Sequence, residues 1–149
     1  MKPSEIRAEL LGQHATLRSL IEQTKRASEQ PAPPGEVGLD RARDCLVRLV
    51  DELRRHNLRE EELLRDVIPS VDPWGPARAE IMTEEHVKEH QELFGALTDA
   101  TATTDARAAA PMLRIVCERL LAHMAREERD FLGGDCLRDD QVSVDSFGG

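Results

Sequence analysis

The row Ala42, Leu46, Leu49, Leu53, His56, Glu60, Leu63, Val67 steps along the chain by threes and fours. That is the spacing of one face of an α-helix. It constrains the fold more than any other feature, because an apolar stripe must be covered by other elements. Three more rows share its period. Ile6, Leu10, Leu17, Ile21 and Thr24 form the first, with His14 filling its long gap. Met82, His86, His90, Leu93 and Leu97 form the third. Leu113, Val116, Leu120, His123 and Glu127 form the fourth, with Phe131 close to the same side.

Predicted helices run from about Ser4 to Glu29, Leu39 to Ile68, Ala77 to Ala100 and Pro111 to Leu132. Ser4 is read as an N-cap and Pro111 as a first helical residue. PAPPGEVG (31–38), SVDPWGP (70–76) and TATTDARAAA (101–110) break the pattern between them. Short links between long amphipathic helices give an all-α, antiparallel up-and-down four-helix bundle. Trp74, in the second link, is expected to plug a bundle end. RRHNLREEELL in helix 2 echoes LAHMAREERDFL in helix 4, and HATLRSL in helix 1 echoes HQELFGAL in helix 3.

The chain has 149 residues, one Trp, three Phe and no Tyr, so its core is mostly Leu, Val, Ile, Ala and Met. One domain is expected over residues 1–132, with the Gly-rich, acidic segment 133–149 as a flexible tail. A formal charge of −9 argues against nucleic acid and against an anionic membrane surface. No apolar run approaches the roughly 20 residues that span a bilayer. The N-terminal MKPSEIRAEL lacks the apolar region of a signal peptide, so a cytoplasmic protein is expected. Cys45, Cys117 and Cys136 are odd in number and form no CxxC pair. Cys45 and Cys117 are expected as small core residues, with no disulfide framework.

All five histidines lie on inward rows. Residues four apart on a helix share a face, so His56/Glu60, His86/His90 and His123/Glu127 each point one way. Glu61 and Glu128, one residue on, swing about 100° away and read as solvated, as does the Glu84/Glu85/Glu89 cluster. Distances from the helix ends place His14, His56, Glu60, His86, His90, His123 and Glu127 in one layer of the bundle. Burying a carboxylate without a partner costs several kcal/mol or shifts its pKa. Two carboxylates among five imidazoles, with no Lys or Arg on these rows, call for a compensating cation. Imidazole with carboxylate suits iron, manganese or zinc.

A lone His in helix 1, HNLRE in helix 2, HVKEH in helix 3 and HMARE in helix 4 resemble the hemerythrin-like (HHE cation-binding) domain family, over about residues 4–132. The resemblance implies two non-haem Fe ions with an oxo/hydroxo bridge. His86, His90 and His123 would hold one and His14 and His56 the other, with Glu60 and Glu127 bridging. Counted this way, the His14/His56 iron has one open position, suited to O2, NO or peroxide. Oxygen-carrying hemerythrins place an Asp five residues after the helix-4 His. Here Glu127 stands four after His123, and Glu128, five after, is the second choice of ligand. That departure turns the reading away from simple O2 carriage.

Ferritin-like diiron proteins use Glu-x-x-His and four carboxylates. The reversed order, the excess of nitrogen and the lack of Tyr speak against an oxygenase. Three functions follow: binding or sensing O2 or NO; enzymatic decomposition of peroxide or oxidation of Fe(II); and a metal-free helical partner. VSVDSF (142–147) resembles the docking peptides of encapsulin cargo proteins, although Asp145 stands where Gly is usual. Val142, Val144 and Ser146 would lie as an extended strand in a groove of the shell protein.

Overall fold

The computed structural model describes residues 1–30, 38–71 and 76–141. The expectations for 31–37, Trp74 and the peptide 142–147 lie outside the described residues. Four helices run in chain order: α1 (Pro3–Glu29), α2 (Gly38–Val71), α3 (Pro76–Ala102) and α4 (Ala106–Asp130). Each packs on the next, and α4 closes back on α1. The result is the expected all-α, antiparallel up-and-down bundle, with no strand among the described residues. No described helix is long and apolar enough to cross a membrane.

Two helix starts differ from expectation. α1 begins at Pro3 with Lys2 as the N-cap residue, and Glu5 accepts a 2.8 Å hydrogen bond from the Lys2 N–H. Ser4 instead donates its N–H and its hydroxyl to the Asp139 carboxylate, at 3.0 and 2.8 Å. α4 begins at Ala106, five residues before Pro111. Four alanines in residues 106–110 favour helix strongly, and their gain outweighs the one backbone bond that Pro111 cannot make.

The core has two apolar compartments. The larger contains Leu17, Ile21, Leu49, Leu53, Leu93, Leu97, Leu120 and Met124. The smaller gathers Ile6, Leu10, Leu63, Leu64, Val67 and Ile68 with Leu132 and Leu137. Each buried Leu contributes about 1.5–3 kcal/mol relative to its exposed state. The five histidines, Glu60 and Glu127 occupy the rows between the two compartments.

Residues 133–141, assigned by sequence to the flexible tail, are anchored at Leu137 and Asp139, while 134, 135 and 138–140 are exposed. Leu137 is buried in the smaller compartment, and the Leu132 carbonyl accepts a 2.7 Å hydrogen bond from Arg7. A short 3-10 turn at Asp139–Gln141 ends the described chain.

Cys117 lies in the larger compartment, as expected for core filler, and burial pushes its thiol up to about 11. Cys45 is only half-buried. No disulfide forms among the described cysteines.

Candidate metal centre

Each helix contributes to the polar layer because its inward row substitutes a polar side chain for a Leu. His14 comes from α1, His56 and Glu60 from α2, His86 and His90 from α3, and His123 and Glu127 from α4. All seven are buried, His86 being the most exposed at 8% and His14 and Glu60 the least at 0%. Their donor atoms form two groups: His86, His90, His123 and Glu127, and His14, His56, Glu60 and Glu127. Within each group the atoms lie within 4.8 Å of one another. Glu127 is common to both.

Glu60 also sits between the groups. Its Oε2 is 3.3 Å from His56 Nε2, 3.1 Å from His86 Nε2 and 3.4 Å from His90 Nε2. Glu127 Oε2 is 3.1 Å from His14 Nε2, while its Oε1 is 3.4 Å from His86 Nε2 and 3.3 Å from His90 Nε2. The same Oε1 meets His123 Nε2 in a very close contact.

Burial and ion pairing oppose each other here. Burial raises the carboxyl pKa of Glu60, but the close imidazoles of His56, His86 and His90 overcome it and hold the group well below the carboxylate range. Glu127 is likewise raised by burial, and held low by His123, His14 and His90. Burial disfavours the His90 imidazolium, yet Glu127, Glu60 and Glu61 raise its pKa to about 10. His14 is also raised, by Glu127 and Glu128 against the same penalty. Without a metal, the layer therefore holds protons where a cation would sit.

Three of the outward Nδ1 atoms have hydrogen-bond partners of their own. Carboxylate and amide oxygens only accept, so each imidazole donates. His14 Nδ1 donates to Glu128, His56 Nδ1 to the Gln13 amide oxygen, and His90 Nδ1 to Glu61, each at 2.9 Å. His123 Nδ1 lies 3.1 Å from Glu89 Oε2, an ion-pair contact without hydrogen-bond geometry. With Nδ1 carrying the proton, Nε2 is left to offer its lone pair inward.

The residues fit a metal on this geometry. His14 Nε2, His56 Nε2, His123 Nε2, Glu60 Oε1 and Glu127 Oε2 are buried with no hydrogen-bond partner of good geometry. Such atoms in a dry layer are costly unless something accepts their lone pairs. Nitrogen and oxygen donors in this proportion suit a first-row divalent ion.

The seven residues expected in one layer are thus brought together. Glu127 belongs to both donor groups and Glu128 to neither. Cys117 also stands outside both groups.

The expectation that Glu61, Glu89 and Glu128 are simply solvated is corrected. Their side chains are 22%, 32% and 28% exposed, and each faces an imidazole. Glu84 and Glu85 are exposed as expected. Gln13 was missed altogether. All four of these partners adjoin a ligand in sequence: Gln13 precedes His14, Glu89 precedes His90 and Glu128 follows Glu127. Glu61 likewise follows Glu60. Each reaches an imidazole of a different helix, so adjacency to a ligand is the signal that could have found them.

A groove of about 550 Å³ at the α3/α4 face leads from solvent to His86, His123 and Glu127. Glu85, Glu89 and Asp130 line it with Arg126.

Comparison with curated proteins and with solved structures finds no match. The family model of the Hemerythrin HHE cation binding domain matches residues 5–133. That span takes in all four helices and every member of the layer, and the chain belongs to the hemerythrin HHE cation-binding domain family.

Proposed function

We propose that the chain is a non-haem diiron protein that binds O2, NO or peroxide at one open iron position. His86, His90 and His123 would hold one iron and His14 and His56 the other, with Glu60 and Glu127 shared. Iron held there would supply reversible ligand binding and electrons for O2, NO or peroxide.

The observation that carries the reading is the unequal share of imidazole: each group has four donors, but the second replaces one imidazole with Glu60, whose Oε2 also approaches His86 and His90. The two groups share Glu127, but one has three imidazoles and the other two. Leu10 stands one turn before His14, as His86 stands one turn before His90. Leu10 is fully buried, so an alkyl chain occupies the position equivalent to the sixth donor.

The chain's own residues do the rest. Five imidazoles are neutral as ligands, and two carboxylates add only two negative charges. That balance favours ligand binding over the high oxidation states an oxygenase needs. Leu17, Leu53, Leu93, Leu120 and Met124 keep water from one side of the layer. Glu61, Glu89, Glu128 and Gln13 fix the rotation of the imidazoles.

Loading the metal-free protein with Fe(II) without oxygen, then admitting O2, tests the reading. A stable spectrum that reverses under vacuum supports binding; a protein that takes up no iron, or iron that gives no spectral response to O2, NO or peroxide, sinks it.

The acidic groove favours a second reading, oxidation of Fe(II) or decomposition of peroxide, because Glu85, Glu89 and Asp130 would draw cations toward His86 and His123. Rapid turnover of added Fe(II) or peroxide would support that reading. Delivery into an encapsulin shell through 142–147 belongs with it. Deleting 142–149 leaves the packed Leu137 in place and should abolish co-purification with a shell protein; unchanged co-purification would remove the docking role.

A further inference from the structure

Setting His14 against His90 and His56 against His123 overlays the two halves of the chain. Glu60 then falls on Glu127, Glu61 on Glu128, Arg59 on Arg126 and Gln13 on Glu89. The outer contacts obey the same exchange. Glu128 of α4 takes His14 of α1, and Glu61 of α2 takes His90 of α3. Gln13 takes His56, and Glu89 faces His123.

Two positions at or beside the imidazoles break the exchange, apart from Arg18, which pairs with Glu128 and stands against Phe94. One is Leu10 against His86. The other is Gln13 against Glu89, where a neutral amide replaces a carboxylate. The Arg contacts record the same difference. Arg126 pairs directly with Glu89, the carboxylate that faces His123. Arg59 pairs with Glu9 at 2.6 Å, Glu9 accepts from the Gln13 amide at 3.3 Å, and only Gln13 touches His56. An amide is thus interposed between carboxylate and imidazole in one half alone.

We infer that the two metal positions fill in order, the His86/His90/His123 position first, and that Gln13 is a positioning residue that keeps the His14/His56 position the weaker of the two. This rests on the two-metal reading above. Both asymmetries act in one direction. The first position has one more imidazole, and two of its imidazoles are backed by carboxylates, Glu61 and Glu89. The second has one carboxylate, Glu128, and the uncharged Gln13; Glu128 is shared with Arg18 as Glu89 is with Arg126, so the amide is what separates the two. A carboxylate behind an imidazole raises its basicity as a ligand, and loss of such a partner costs about 10–100-fold in metal affinity. The groove at the α3/α4 face also gives the first position the more direct path from solvent.

The test is an anaerobic titration of the metal-free full chain with Co(II) at one fixed pH. Uptake is followed calorimetrically and by the visible ligand-field bands. The expected result is two steps, the second at least about tenfold weaker than the first. Gln13→Glu should strengthen the second step about tenfold and leave the first alone; Arg59 beside Glu9 offsets the added charge. Glu89→Gln should weaken the first step by a similar factor and leave the second alone. Both variants keep the wild-type far-UV spectrum and melting curve, which separates a positioning effect from misfolding. Two metals taken up in one indistinguishable step, or a Gln13→Glu variant that moves both steps equally, would overturn the ordered loading while the two-metal centre stands. Uptake of one Co(II) or none would overturn the centre itself.

Discussion

The larger apolar compartment and the polar layer are built from the same four helices, yet they answer opposite demands. Leu17, Leu49, Leu53, Leu97 and Leu120 gain free energy by leaving water and ask only for neighbours of the right volume. His14, Glu60, His90 and Glu127 lose hydration on burial and recover it only through specific atoms at specific distances. The first region gives the bundle its stability. The second gives up some of that stability to hold donors a cation can use. Mutations should therefore separate the two regions cleanly.

The largest effect is expected at Glu127. It belongs to both donor groups, so Glu127→Ala should remove the anion from both positions at once. Metal analysis should fall from two ions to less than one per chain. The metal-dependent rise in Tm, about 4 kcal/mol of stabilisation at a metal concentration a thousandfold above Kd, should vanish. Two ions retained by the variant would take metal binding away from this layer. Leu120→Ala is the converse. It opens a cavity in a region with no ligand and should cost about 2–5 kcal/mol in chemical denaturation. Metal content should stay at the wild-type value, because His123 and Glu127, further along α4, face Glu89, His14 and His90.

pH should then distinguish the metal-free layer from the loaded one. In the metal-free protein, the His90 pKa rises from 6.5 to about 10. Its contribution to stability is complete below about 6.5 and is lost as pH rises through about 10. Glu60 and Glu127 are lowered from 4.5, so their contributions are complete above that value and are lost as pH falls below it. The metal-free chain should be most stable between these limits. Metal affinity should move the other way on the alkaline side. His14 and His90 must release protons from Nε2 before they can ligate, so binding should tighten from pH 6 to pH 8 by about tenfold per unit for each proton displaced. Proton release in weakly buffered solution measures this directly, and none released would mean that the imidazoles are already neutral.

The apolar region was almost wholly legible in the sequence. The rows through Leu46, Leu49 and Leu53, and through Leu113, Val116 and Leu120, repeat at the helical period and end up buried. The inward half of the layer was legible for the same reason, since His56 and Glu60 interrupt a row of leucines. The outer half was not. Glu61, Glu89, Glu128 and Gln13 stand beside the inward stripe, where periodicity predicts water. They turn inward only because a long side chain can cross to a neighbouring helix, and that crossing depends on tertiary geometry. Pro111 misled for a different reason. Its preference for a first helical turn is local, and the alanines before it extended the helix past that preference.

The smallest predicted effect lies where the chain leaves the bundle. Residues 133–141 have no helical period, so nothing in their spacing announces that they pack. They are held by Leu137 in the smaller compartment, by Arg7 on the Leu132 carbonyl and by Ser4 on Asp139. Those two hydrogen bonds also keep the Asp139 carboxyl below its usual range. Ser4→Ala removes the hydroxyl bond and leaves the N–H bond and the Leu137 contact. It should therefore loosen the segment without releasing it. Amide exchange should quicken at 133–141, while the Tm, the exchange of the four helices and the metal content stay at wild-type values. Leu137 buries apolar surface beside Ile6 and Leu10, one turn from His14, so a change in metal content in Ser4→Ala would mean that this segment helps to seat the layer. The polar and apolar regions would then be coupled at this end of the bundle, and their separation would hold only on the side of the larger compartment.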